Sequence, residues 1–113
     1  LNLRGLHFHL GSPIFELEPY RIAVDLVIRF AAEFREEGLQ LQEFSPGGGF
    51  AIAYTREDAP PAIGDYAEAI VSTMNATCKS LDMEPPRLII EPGRSIIGPA
   101  GVACGDGPGG WLG

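Results

Sequence analysis

At 113 residues, 45% hydrophobic and 20% charged, the chain is sized for one globular domain, and no apolar run approaches the roughly 20 residues that span a bilayer. Its net charge of -7 and pI near 4.6 argue against nucleic acid and anionic membrane surfaces, which are met by clustered Lys and Arg. Two cysteines, Cys78 and Cys104, make no disulfide framework, and without a cationic, apolar leader the expected compartment is the cytoplasm.

The chain opens on Leu1-Asn2-Leu3 with no Met and closes on a Gly/Pro string, CGDGPGGWLG, without periodicity. It therefore reads as a piece of a longer protein, residues 1–102 being domain and residues 103–113 irregular tail. In chain order, the alternation Leu6-His7-Phe8-His9-Leu10 predicts a strand with Leu6 and Phe8 on one face and His7 and His9 on the other. Gly11-Ser12-Pro13 ends it. Pro19 suits a first helical turn, and Ala23, Val27, Phe30 and Phe34 follow at helical spacing, with Leu26 and Ala31 widening the stripe. Arg21, Asp25, Arg29, Glu33 and Glu37 form the opposite, solvated face with i,i+4 pairs, and Gly38 is placed to stop the helix.

Residues 39–44 read as a second strand running into SPGGGF, followed by a long loop with Pro60 and Pro61. The next helix sets Ala67, Ile70, Val71, Met74, Cys78 and Leu81 on one stripe, making Met74 and Cys78 core residues rather than ligands. Pro85-Pro86 breaks it, and residues 87–90 form a third strand ending at Glu91. The order β-α-β-α-β, with connections long enough for crossovers, predicts an α/β fold with parallel strands. Ligands of such folds gather at the carboxyl ends of the strands, where HLGS, SPGGGF and EPGR all lie.

The chemistry of those three loops is specific. Consecutive glycines at 47, 48 and 49 let backbone N–H groups approach an anion, although alone they also suit a flexible turn. Ser12 adds a hydroxyl and Arg94 a planar cationic fork, which together make a phosphate cup. Glu91 would repel an anion unless it faces a cation, and a protonated ring nitrogen meets that need. Phosphate at one end, pyridinium at the other and the flat imidazole of His9 on the ring face describe pyridoxal 5'-phosphate. A zinc hydrolase built on His7-x-His9 is the rival, but it needs further ligands and the chain has no other histidine; no metal is expected, and His7 reads as a supporting or packing residue. A non-catalytic binding fragment is the other alternative.

GLHFHLGS at residues 5–12, GGGF at 47–50 and EPGRS at 91–95 resemble the diaminopimelate decarboxylase branch of the alanine-racemase-like barrel class of pyridoxal phosphate enzymes. The resemblance covers residues 1 to about 102. EPGR is shared with ornithine and arginine decarboxylases of the same class, which stay open as alternatives; Pro13 and Ser45-Pro46 depart from the usual pattern of the family. It implies a partial (β/α)8 barrel and the decarboxylation of meso-diaminopimelate to L-lysine, the last step of lysine biosynthesis, by a homodimeric parent. It also implies that His9 stacks on the ring, that Ser12, Gly48 and Gly49 hold the phosphate, and that Glu91 keeps the ring nitrogen protonated. Gly93 and Arg94 would lie beside the phosphate, Arg94 reaching the substrate carboxylate. The Schiff-base lysine of the family is absent, because the single lysine, Lys79, falls on the second helix as an exposed charge. The fragment alone is therefore expected to be inactive.

Overall fold

The computed structural model describes residues 1–102, so the expected tail at 103–113, with Cys104, lies outside the described residues. Strand β1 (Gly5–His7) leads into helix α1 (Glu18–Glu33), strand β2 (Glu43–Ser45), helix α2 (Ile63–Ser80), strand β3 (Arg87–Leu88) and a short helix α3 (Arg94–Ile97). A 3-10 turn, Gly98–Ala100, follows. The three strands form one parallel sheet in the order β1-β2-β3, so the expected β-α-β-α-β arrangement is what the chain adopts. No helix among the described residues is long and apolar enough to cross a membrane.

Register explains the two faces of the sheet. Leu6 pairs with Phe44 and Phe44 with Leu88, and this row packs under the helices, with the Phe8 ring 5.8 Å from that of Phe44. Gly5, Glu43 and Arg87 line up on the other face, where Arg87 donates to Glu43. His7 sits opposite Ser45 on that same face. The strands are shorter than the alternating runs suggest, because the chain leaves ladder geometry to build loops at the carboxyl ends.

The first helix is rotated from the expected stripe. Its buried residues are Tyr20, Val24, Ile28 and Ala31, while Leu26 and Phe30 are 62% and 49% exposed. The sequence carries apolar residues on both sides of this helix, so periodicity does not choose between them; the aromatic cluster of Tyr20, Phe50 and Tyr66 does, with ring centroids 5.1–5.7 Å apart. Gly38 closes the turns after the helix with φ +96°, five residues beyond the last helical residue, Glu33.

The solvated-face reading of α1 also needs correction. Arg29 pairs with Asp25 at 2.9 Å as expected, but Asp25 additionally accepts a 2.8 Å hydrogen bond from Thr77 on α2. This carboxylate therefore sits at the seam between the helices, and those two hydrogen bonds hold it below the ordinary carboxylate range. On α2 the buried set is Tyr66, Ala69, Ile70, Met74, Thr77 and Cys78. Met74 and Cys78 are core, as expected, whereas Ala67 and Val71 are exposed. Asp65 caps this helix by accepting from the Ala62 amide.

Candidate functional site at the strand ends

The three loops meet, and glycine is what lets them. A Cβ on Gly47 would lie 2.7 Å from the Phe8 carbonyl oxygen and 2.9 Å from His9 Nδ1. On Gly48 it would lie 2.1 Å from the Glu91 carbonyl oxygen, and on Gly49 2.0 Å from that of Gly11. Real side-chain carbons do not come this close to backbone, so each glycine is the contact point of the middle loop with a different neighbour. Gly47 and Gly49 also hold φ values of +72° and +84°, which disfavour other residues. The run thus answers to packing as well as to any anion.

Hydrogen bonds lock the same contacts. The Glu91 amide donates to the Gly47 carbonyl at 2.9 Å, the Ile14 amide to Gly49 at 2.8 Å, and the buried Tyr20 hydroxyl to Gly48 at 2.7 Å. Tyr66 donates to the Ile14 carbonyl and accepts from the Ala51 amide. Burial and the neighbouring Tyr66 push Tyr20 up to about 12, so it stays a protonated donor through the physiological range. The Ser45 hydroxyl accepts from the Gly47 amide, which gives this residue a loop-shaping role. Neither tyrosine was singled out in the sequence, because a Tyr after Pro19 and a Tyr in an amphipathic helix look like ordinary core.

The rim side chains are His9, exposed beside Gly47, and Glu91, whose carboxylate lies 3.2 Å from His7 Nε2. His7 and Glu91 are both about half exposed, which leaves the carboxylate open to a ligand while the imidazole steadies it. Ser12 is exposed in the loop joined to Gly49 through Gly11 and Ile14. Gly93 caps α3, and Arg94 at its start stacks on Tyr54, with the guanidinium carbon 5.6 Å from the ring centroid. His9, Gly48, Gly49 and Glu91 are thus brought together directly, Ser12 and Gly93 through their chain neighbours, and Arg94 is directed to Tyr54. Among the described residues no three His, Cys, Asp or Glu side chains gather as metal ligands. Lys79 is exposed in the last turn of α2, which feeds β3 from the end of the sheet opposite this rim.

The family model described as pyridoxal-dependent decarboxylase, pyridoxal binding domain, matches residues 1–98. The chain belongs to this family. Among decarboxylases of the family, diaminopimelate decarboxylase of Synechocystis is 37% identical over 104 residues, covering 92% of this chain and 22% of the relative. The crystal structure of diaminopimelate decarboxylase from Methanocaldococcus jannaschii in co-complex with L-lysine is 37% identical with a TM-score of 0.76, over 84% of this chain and 21% of that one. Biosynthetic arginine decarboxylase from Campylobacter jejuni is similar at 28% identity and a TM-score of 0.72, over 80% of this chain and 16% of that one. The chain therefore spans about a fifth of the length of the decarboxylases it matches, and its sheet is an α/β portion of their fold.

Proposed function

We propose that this segment is the cofactor-binding side of a pyridoxal 5'-phosphate-dependent amino-acid decarboxylase. The parent enzyme would convert meso-diaminopimelate to L-lysine and carbon dioxide. The observation that carries the reading is the interlocking of His9, the glycine run and Glu91 at the carboxyl rim of a parallel sheet. The donor set fits the cofactor: an exposed flat imidazole, a half-exposed carboxylate, a serine hydroxyl, and glycine amides in a loop too crowded for side chains.

When bound, pyridoxal 5'-phosphate supplies a protonated ring that accepts the electron pair left by departing carbon dioxide. In this reading Glu91 holds the proton at the ring nitrogen, and His7 orients the carboxylate from behind. His9 covers one ring face and shields it from water. Ser12, Gly48 and Gly49 bind the phosphate with hydroxyl and amide donors. Gly93 and Arg94 lie beside the phosphate, and Arg94 swings from Tyr54 to the substrate carboxylate. The lysine that carries the cofactor would come from another part of a longer polypeptide, which we infer works as a homodimer in the cytoplasm.

An ornithine- or arginine-type decarboxylase stays as the second reading, favoured by the similarity to the Campylobacter enzyme. The test is carbon dioxide release by the intact protein from meso-diaminopimelate, ornithine and arginine in turn. Turnover of meso-diaminopimelate alone is expected, and Glu91→Gln should lower kcat by roughly 100-fold or more. Turnover of arginine or ornithine instead would move the protein to the second reading. A Glu91→Gln enzyme of unchanged kcat would refute the role given to this carboxylate.

A further inference from the structure

Each glycine of the run offers a carbonyl to a different element: Gly47 to the Glu91 amide, Gly48 to the Tyr20 hydroxyl, and Gly49 to the Ile14 amide. Only the Gly48 bond comes from a side chain, and only that one reaches out of the helix layer. A peptide unit is planar and trans, so its N–H points opposite to its C=O. With the Gly48 carbonyl drawn into the core by Tyr20, the Gly49 N–H is turned away from that hydroxyl and from α1. That amide has no acceptor among the described residues, and Gly49 is half-buried.

We propose that Tyr20 is a positioning residue for anion binding: by holding the Gly48 carbonyl it aims the Gly49 amide at the phosphate of the cofactor. The proposal rests on the reading of this rim as a pyridoxal 5'-phosphate site. Its geometry is well braced. Tyr20 is fully buried, its ring is held by Phe50 at 5.7 Å and by Tyr66 edge-on at 5.6 Å, and α1 fixes its backbone. Because burial keeps the hydroxyl protonated, the donor survives through the physiological range in which the phosphate is a dianion. Without it the Gly48 peptide is free to turn, and its carbonyl dipole rather than its amide partner can face the anion, which repels it.

The test compares two ligands that differ by the phosphate alone, pyridoxal 5'-phosphate and pyridoxal, in the intact protein. Tyr20→Phe keeps the ring and its packing while removing the hydroxyl. Its affinity for pyridoxal 5'-phosphate is expected to fall roughly tenfold, a charge-assisted hydrogen bond being lost, with affinity for pyridoxal unchanged. The phosphorus resonance of the bound cofactor is expected to shift as well. Thr77→Val removes a buried hydroxyl that serves only the seam between the helices, away from the rim, and should leave both ligand affinities and the phosphorus resonance as they are. Wild-type protein that binds the two ligands equally overturns the cofactor reading itself. Wild-type preference for the phosphate ester that Tyr20→Phe retains overturns the role of Tyr20 alone. Should Tyr20→Phe not fold, titrating wild-type protein with inorganic phosphate decides: the Gly49 amide resonance moves downfield if the proposal holds, and an unmoved resonance overturns it.

Discussion

Replacing Gly48 by alanine adds one methyl group at a point where the structure has no room for it. The new carbon would lie 2.1 Å from the Glu91 carbonyl oxygen and 3.0 Å from its carbon, whereas ordinary contact begins near 3.4 Å. The EPGR loop would have to retreat by more than about 1 Å, because both obstructing atoms are backbone and cannot rotate aside. That movement breaks the 2.9 Å bond from the Glu91 amide to Gly47. Overpacking of this kind costs about 1–3 kcal/mol, and the lost hydrogen bond about 1 more. In the intact protein a destabilisation of about 3 kcal/mol lowers the melting temperature of a domain of roughly 150–250 residues by about 6–12 °C. Gly64→Ala is the control, since a Cβ there meets nothing within 4 Å and alanine favours the helix, so its stability should hold or rise. Thermal melts and pyridoxal 5'-phosphate binding of the two variants are read side by side. A Gly48→Ala protein melting within about 1 °C of wild type, with cofactor affinity intact, would refute the claim that the loops are locked at this contact.

Acid stability should carry the signature of Asp25. Its carboxyl is held low by Arg29 and Thr77, so its contribution is fully present above the unfolded value of about 3.9 and is lost as pH falls through the lower folded value. Asp25→Asn should flatten the stability profile below about pH 4, modestly because the side chain is 39% exposed; superimposable acid limbs would argue against the seam described for it. Cys78 is fully buried and burial pushes its thiol up, so peptide-mapped alkylation should modify it only in denaturant; native-state labelling at the denatured rate would contradict its core position. The 113-residue chain expressed alone should melt broadly and self-associate, since Ile22, Leu26 and Phe30 form an exposed apolar stripe on α1. A sharp transition of a monomer would count against the reading of this segment as a piece of a longer protein.

Much of the architecture was legible because two periodicities and three glycine-rich punctuations coincide. The alternation through His7 and His9 put Leu6 and Phe8 on the core side, which is where they pack. Met74 and Cys78 followed from a helix with a single dominant apolar stripe. The rotation of α1 did not follow, because Ile22, Leu26 and Phe30 compete with Val24 and Ile28 as a buried face, and only the tertiary aromatic contacts of Tyr20 decide between them. The strands end before the alternation does, because it persists into loops: the last bond of the β1 ladder is Phe8 to Ser45, and past the strands the Glu91 amide turns to the glycine run at Gly47. The turn of Arg94 onto Tyr54 was beyond sequence reasoning, since Tyr54 lies in a loop with no periodicity to place it.

The glycine run shows why a motif can be read correctly for an incomplete reason. Access of amides to an anion requires an absent Cβ on the ligand side, yet here the positions a Cβ would take at 47, 48 and 49 point at Phe8, Glu91 and Gly11. The glycines therefore allow backbone to meet backbone, and the carbonyls captured at those meetings leave the paired amides turned the other way. Anion access becomes a consequence of loop interlocking rather than of loop flexibility. It follows that the strand-end segments cannot vary independently: Gly11, Gly48 and Glu91 form one assembly, and a change at any of the three must shift the others or lose the fit.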